Sequence, residues 1–319
     1  MRRRYHVRMS VTLLGPQRLA PNVAETLHSL GVRGPIATIT AGWEERELED
    51  DELAEHCGGT TVNLQLWERT DRVFARDPEL RQALWRRHDR LREMQRLYRL
   101  RLNHGMDAAS ELSDLAVDPM LRNEEIHCAI DAVRKLDHEH LERVTAIHDA
   151  FEAEVDVPNR PSLEKDRAEV RALIADSAAL AVAGGHVAVL LNRLRLFGIE
   201  DAVRLRGLPV IGWSAGAMAL GERVVLFHDR PPQGRGNAEV LEPGIGLYEG
   251  AVPFPHARRR LLLDDPERVQ LLARRLAPLI AIPMDEGARV DWDGSDWTFR
   301  SGTRRLATDG ALVAMGSDA

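Results

Sequence analysis

Gly212-Trp213-Ser214-Ala215-Gly216 sets a hydroxyl between small neighbours where the apolar run of GLPVIGW gives way to helix-like sequence. A strand-to-helix turn of this kind is tight and strained, so it needs small flanking residues, and it pushes the hydroxyl out toward a substrate. The helix that follows begins with unpaired backbone amides, and that of Ala215 points at the turn, where an oxyanion would develop in acyl transfer. Serine attacks a carbonyl only when a base takes its proton, and the base works best when a carboxylate orients it. Such groups follow downstream: His228 and Asp229 in FHDRPPQGRGN, His256 in AVPFPHARRR, and Asp285 and Glu286 in IPMDEGARV, after the run Leu279 to Met284. Lys135 and Lys165 are the only lysines and both lie in distant charged segments, which argues against a Ser-Lys dyad. G-x-S-x-G also belongs to α/β-hydrolase esterases, although the chain after Ser214 is short for that fold. A serine at a tight turn can equally be architecture alone, which leaves a non-catalytic binding or regulatory protein as a further reading.

The elements that must position these groups read as β-α-β sequence interrupted by helices. SVTLLG and PIATITAG are short apolar runs ended by glycine, with the helical spacing of NVAETLHSLGV between them. From Leu64 to about Glu164 the pattern is helical. Leu80, Leu84, His88, Leu91, Met94, Tyr98 and Leu102 fall near one face of one helix, and Ile126, Ile130, Val133, Leu141, Val144, Ile147 and Phe151 near one face of the next. VPNRPS then punctuates the chain. Beyond it a helix, the run AALAVAGG, a helix HVAVLLNRLRLFG and the serine segment restore the alternation of a doubly wound sheet, in which functional groups gather at the carboxyl ends of strands. Turn signals at Asp293-Gly294 and Ser301-Gly302 predict terminal hairpins. The expected division is residues 1–63 and 166–319 for the α/β part, with a helical insertion at 64–165 that serves as a lid, as an oligomer interface or as a packed subdomain.

Charge and composition exclude other classes. A net charge of −7, with arginines interspersed among carboxylates, offers no basic face for nucleic acid. No run approaches the length of a spanning helix, and the basic start MRRRYHVRMS lacks the apolar core of a signal peptide, so the expectation is a cytoplasmic chain that does not enter a membrane. The two cysteines, Cys57 and Cys128, stand too far apart in sequence for a metal-ligand spacing, and His138 and His140, two apart on a helix, point to different sides. No metal or organic cofactor is expected. His127 beside Cys128 is expected to pack on its amphipathic helix, and Trp67, Trp85, Trp292 and Trp297 to lie in the core or an interface. Trp43, just after a strand end, is a candidate to line a pocket.

GWSAGA, the Asp fifteen positions after the serine, the Pro-His of PFPH and the later P-x-x-E-G of PMDEG together resemble the serine peptidases that include α-aspartyl dipeptidase and cyanophycinase. AGGH, Ala183 to His186, stands where that family carries its Gly-Gly loop. The resemblance implies an α/β fold, a three-layer, doubly wound, mostly parallel sheet similar to that of class I glutamine amidotransferases, with serine replacing their cysteine. It implies Ser214 as nucleophile, His256 as general base, Asp229 or Glu286 as acidic partner or site-supporting carboxylate, and the amides of Gly185 and Ala215 as the oxyanion hole. The substrate implied is a short peptide or related amide, and no cofactor. His186 replaces the Asn, Asp or Gln common after the paired glycines and is expected to touch substrate. Arg223, between the elbow and Asp229, is a second candidate substrate contact, but it does not align clearly with the arginine that selects acidic substrates in the dipeptidases.

Overall fold

A computed structural model describes residues 9–229, 236–300 and 302–316. The basic start up to residue 8, the middle of FHDRPPQGRGN at 230–235, and Ser301 of the expected Ser301-Gly302 turn lie outside the described residues.

The apolar runs become strands because both faces are covered. β1 (Val11–Leu14), β2 (Ile36–Ile39), β4 (Ala179–Val182) and β5 (Val210–Trp213) are buried at every residue, the pattern of a parallel sheet sandwiched between helices. With β3 (Thr61–Asn63) they run parallel in the order β1-β5-β4-β2-β3, and β10 (Arg289–Trp292) and β11 (Trp297–Phe299) extend the β1 edge antiparallel. The protein is therefore α/β with a mainly parallel central sheet. Its opening strands are parallel, not the antiparallel ones with which an α/β-hydrolase begins. Three two-stranded sheets complete the β structure among the described residues: β6 (Val224–Leu226) with β7 (Glu239–Glu242), β8 (Ala251–Pro255) with β9 (Ile280–Met284), and β12 (Thr303–Leu306) with β13 (Leu312–Met315).

The helices are α1 (Val23–Ser29), α2 (Asp51–Cys57), α3 (Leu66–Arg76), α4 (Pro78–Asp114), α5 (Pro119–Val155), α6 (Pro161–Ala175), α7 (Val187–Leu196), α8 (Ile199–Arg206), α9 (Ala215–Leu220), α10 (Ala257–Arg260) and α11 (Pro266–Leu276). Three of them begin at Asp-Pro. Asp77, Asp118 and Asp265 accept hydrogen bonds from the first free amides of α4, α5 and α11, while the proline occupies a helical position that needs no N–H. None of the helices among the described residues is long and apolar enough to cross a membrane.

α4 and α5 form an antiparallel pair. Tyr98 stacks on His140 at 4.1 Å, and Arg101 and Arg86 pair with Glu139 and Glu154. A buried polar hub ties the pair to the body. Arg275 of α11 donates to both oxygens of Asp137 and to the Tyr98 hydroxyl, each at 2.8 Å, and Tyr98 in turn donates to Asp137 and accepts from the Val240 amide of β7. A second hub joins His148 of α5, Glu242 at the end of β7 and Arg195 of α7. Burial alone would raise the Glu242 carboxyl, but Arg195 and His148 outweigh it and hold it down to about 2.

Some expected faces are corrected by the packing. Arg87 rather than its neighbour His88 turns inward on α4, and of the core or interface expected for Trp85 the core is ruled out, since it is 56% exposed with Arg81 stacked over its ring at 4.4 Å. His127 and Cys128 do not pack: both lie on the solvent side of α5, His127 beside Asp131 at 3.4 Å.

Candidate active site

Six strand ends converge on one cavity of about 590 Å³, lined among others by Gly42 after β2, Gly184 and Gly185 after β4, Ser214 after β5 and His256 after β8. Its size suits a ligand of a few residues. At the centre, Ser214 adopts φ 52° and ψ −125°, a strained backbone for a residue with a side chain. Each neighbouring glycine answers a contact. A Cβ at Gly216 would fall 2.2 Å from the carbonyl oxygen of Val182, and one at Gly184 would fall 2.7 Å from the Cβ of Ser214. The elbow thus sits directly against the end of β4.

The β4 loop is in turn locked to the β2 loop. The His186 amide donates to the Gly42 carbonyl at 2.7 Å, and a Cβ on Gly185, whose φ is 110°, would collide with that same oxygen at 2.1 Å. The importance of Gly42 is the feature sequence reasoning missed; its only trace was a glycine closing the run ATITAG. Among the described residues the amides of Gly185 and Ala215 donate to no backbone carbonyl, and both residues line the cavity. They are the expected oxyanion donors.

His256 also has a positive φ, 56°, and its amide donates to the Met284 carbonyl of β9 at 2.9 Å, which holds its backbone at the end of β8. Ser214 Oγ lies 3.3 Å from His256 Nε2. That distance is within reach of proton transfer to a ring whose other nitrogen carries the hydrogen. Ser214 is partly accessible rather than sealed inside. Burial, and next the charge of Arg260, push the His256 imidazolium below the usual histidine range; Arg259 acts the same way, while Glu286 and Asp285 oppose them.

The remaining sequence candidates separate. Trp43 lines the cavity. Glu286 is exposed, and of the carboxylates its charge acts most on His256. Asp229 is not brought to the histidine: its oxygens take Arg268 at 2.5 Å and the Leu262 amide at 2.9 Å, so it braces the chain that follows α10. Asp285 accepts from the Arg258 amide at 2.9 Å. His186 turns its Nδ1 to the Val189 amide as the N-cap of α7 and is absent from the cavity wall. Arg223 pairs with Glu222 at 3.1 Å, also away from the wall. No residue of α3, α4 or α5 lines this cavity. The same wall contains residues the sequence did not single out, Arg18, Arg46, Met218, Phe227 and Arg260.

A strained serine at a strand-to-helix turn, an imidazole at its hydroxyl and two backbone amides beside it are an arrangement chemically suited to acyl transfer. The chain matches the model of Peptidase family S51 over residues 131–298, more than half its length, and belongs to that family. No curated protein matches its sequence. Among solved structures it is similar to a peptidase from an acI-B1 Actinobacterium, with 15% identity, coverage of 97% of each chain and a TM-score of 0.48. It is also similar to a candidate Peptidase E protein from Listeria monocytogenes EGD-e, with 10% identity, coverage of 94% of this chain and all of that one, and a TM-score of 0.45.

Proposed function

We propose that this chain is a serine peptidase that cleaves a short peptide or related amide through an acyl-enzyme. The observation that carries the reading is the 3.3 Å approach of His256 Nε2 to the hydroxyl of the strained Ser214 within an open cavity. Ser214 Oγ attacks the carbonyl carbon as His256 takes its proton. The carbonyl oxygen, now negative, is met by the amides of Gly185 and Ala215, and the imidazolium gives the proton to the departing nitrogen. Water then repeats the sequence to release the acyl group. Glu286 stabilises the imidazolium by charge, and Asp229 supports the site by accepting from the Leu262 amide just after α10. The fold we assign is that of class I glutamine amidotransferases, with residues 64–165 as the helical insertion.

Ser214→Ala should abolish labelling by a fluorophosphonate probe while the circular dichroism spectrum is unchanged. His256→Ala should slow that labelling by orders of magnitude. Labelling of Ser214→Ala at the wild-type level rejects the nucleophile, and an unchanged rate in His256→Ala rejects the base.

A further inference from the structure

The cavity wall carries three arginines, Arg18, Arg46 and Arg260, and two carboxylates, Glu49 and Glu52. Arg46 and Glu49 satisfy each other at 2.7 Å. Arg260 has no carboxylate partner among the described residues; its side chain lies beside the ring of Phe227, with the guanidinium carbon 6.0 Å from the centroid. Its backbone carbonyl receives the amide of Asp229.

Its place relative to the histidine gives this cation a direction. Arg260 closes α10, one turn after His256, and its amide donates to the His256 carbonyl at 3.0 Å. Of the charges around the imidazole it acts most strongly. In acyl transfer the imidazole must reach the serine and then the leaving atom, so the leaving group lies on the histidine side, while the oxyanion lies on the side of the backbone amides. Arg260, exposed and one turn from the histidine, lines the same cavity as His256, and its fork of donors matches a carboxylate on a leaving group held there.

We infer that Arg260 selects substrates whose leaving group carries a carboxylate, such as the C-terminal amino acid of a dipeptide or short peptide. The inference rests on the assignment of Ser214 and His256 above. Binding such a group also neutralises the charge that depresses His256, so the correct substrate strengthens the base that will act on it.

Two acetyl esters of matched shape separate these steps: 3-acetoxybenzoate, with an anionic leaving group, and 3-acetoxybenzamide, with a neutral one. Each reacts by forming the Ser214 Oγ–acetyl bond and breaking the ester C–O bond, the serine proton passing through His256 to the leaving oxygen. Acetylation of the full-length protein is followed by intact-mass spectrometry, and the modified residue is located by peptide mapping. Wild type should favour the benzoate by about tenfold or more, the range of a charge-assisted contact. In Arg260→Gln that ratio should fall toward one, in Arg260→Lys it should be intermediate, and in Arg259→Gln, next in sequence but off the cavity wall, it should persist. Removing the positive charge should also move the acid limb of benzamide acetylation to higher pH in Arg260→Gln, a shift that a purely structural role would not produce. A wild-type ratio near one, or a ratio unchanged in Arg260→Gln, overturns the assignment. Failure of both esters to acetylate Ser214 instead overturns the nucleophile itself, and the selectivity with it.

Discussion

Gly216 offers the sharpest test of how the elbow is held. A methyl group there would stand 2.2 Å from the Val182 oxygen and 2.8 Å from that of Ala183. Both are backbone atoms in or just after a buried strand, so no side-chain rotation relieves them. Restoring an ordinary contact requires α9 and the end of β4 to part by about 1 Å, a strain that overpacked cores register as about 1–3 kcal/mol. The same displacement separates Ser214 from the Gly185 loop, and about 1 Å of misplacement in a reacting geometry costs on the order of 100-fold in rate. Gly216→Ala should therefore lose stability in urea titrations followed by tryptophan fluorescence and label with a fluorophosphonate far more slowly. Gly212→Ala is the control. There the nearest atom, at 2.6 Å, is the Leu220 Cδ1 methyl, which can turn aside although backbone atoms wait at 3.2 Å, so the loss should be smaller, about 1 kcal/mol. If Gly216→Ala matched wild type in both assays, or Gly212→Ala proved the more damaging, the reasoning from contact distances would fail.

Because burial and Arg260 depress His256, its neutral, basic form persists to lower pH than in a free histidine. Labelling of Ser214 should fall off on acidification only below about 6.5, and a midpoint at or above that value contradicts the assignment. Glu286→Gln removes a charge that favours the imidazolium, so the midpoint should move further down; no movement, measured in the same pH series, denies Glu286 its role. Asp137→Ala strips the fully buried Arg275 guanidinium of its carboxylate and should cost about 3–5 kcal/mol in urea titrations. Asp229→Asn should cost less, about 1–3 kcal/mol, because its partner Arg268 retains access to water.

Much of the fold could be read from local pattern. The buried strands announced themselves as apolar runs closed by glycine, and the long helices by their period, because burial on both faces or on one stripe leaves a direct imprint on residue type. The reading was coarser where a face has width: His88 and His127 lie within a turn of buried neighbours, and the helix rotation that exposes them is set by partners far away in sequence. The elbow was legible because its glycines answer a local steric demand. The expectation for His186 rested on position alone, and the structure spends its ring on capping α7. The environment of Asp229 was hidden for a different reason: Arg268 reaches it from α11, and nothing in the residues around either one signals a pairing across a loop. Arg260 was likewise one of three arginines in a row until α10 turned it alone toward the cavity.

The two polar hubs that seat α4 and α5 have a mechanical consequence. Asp137 and His148, both on α5, are moored to α11, β7 and α7, and α4 shares the first mooring through Tyr98. A protease that severed the exposed connection between Leu115 and Asp118 would cut the chain without parting it. The nicked molecule should elute as a single particle from a sizing column and divide into two fragments only once denatured.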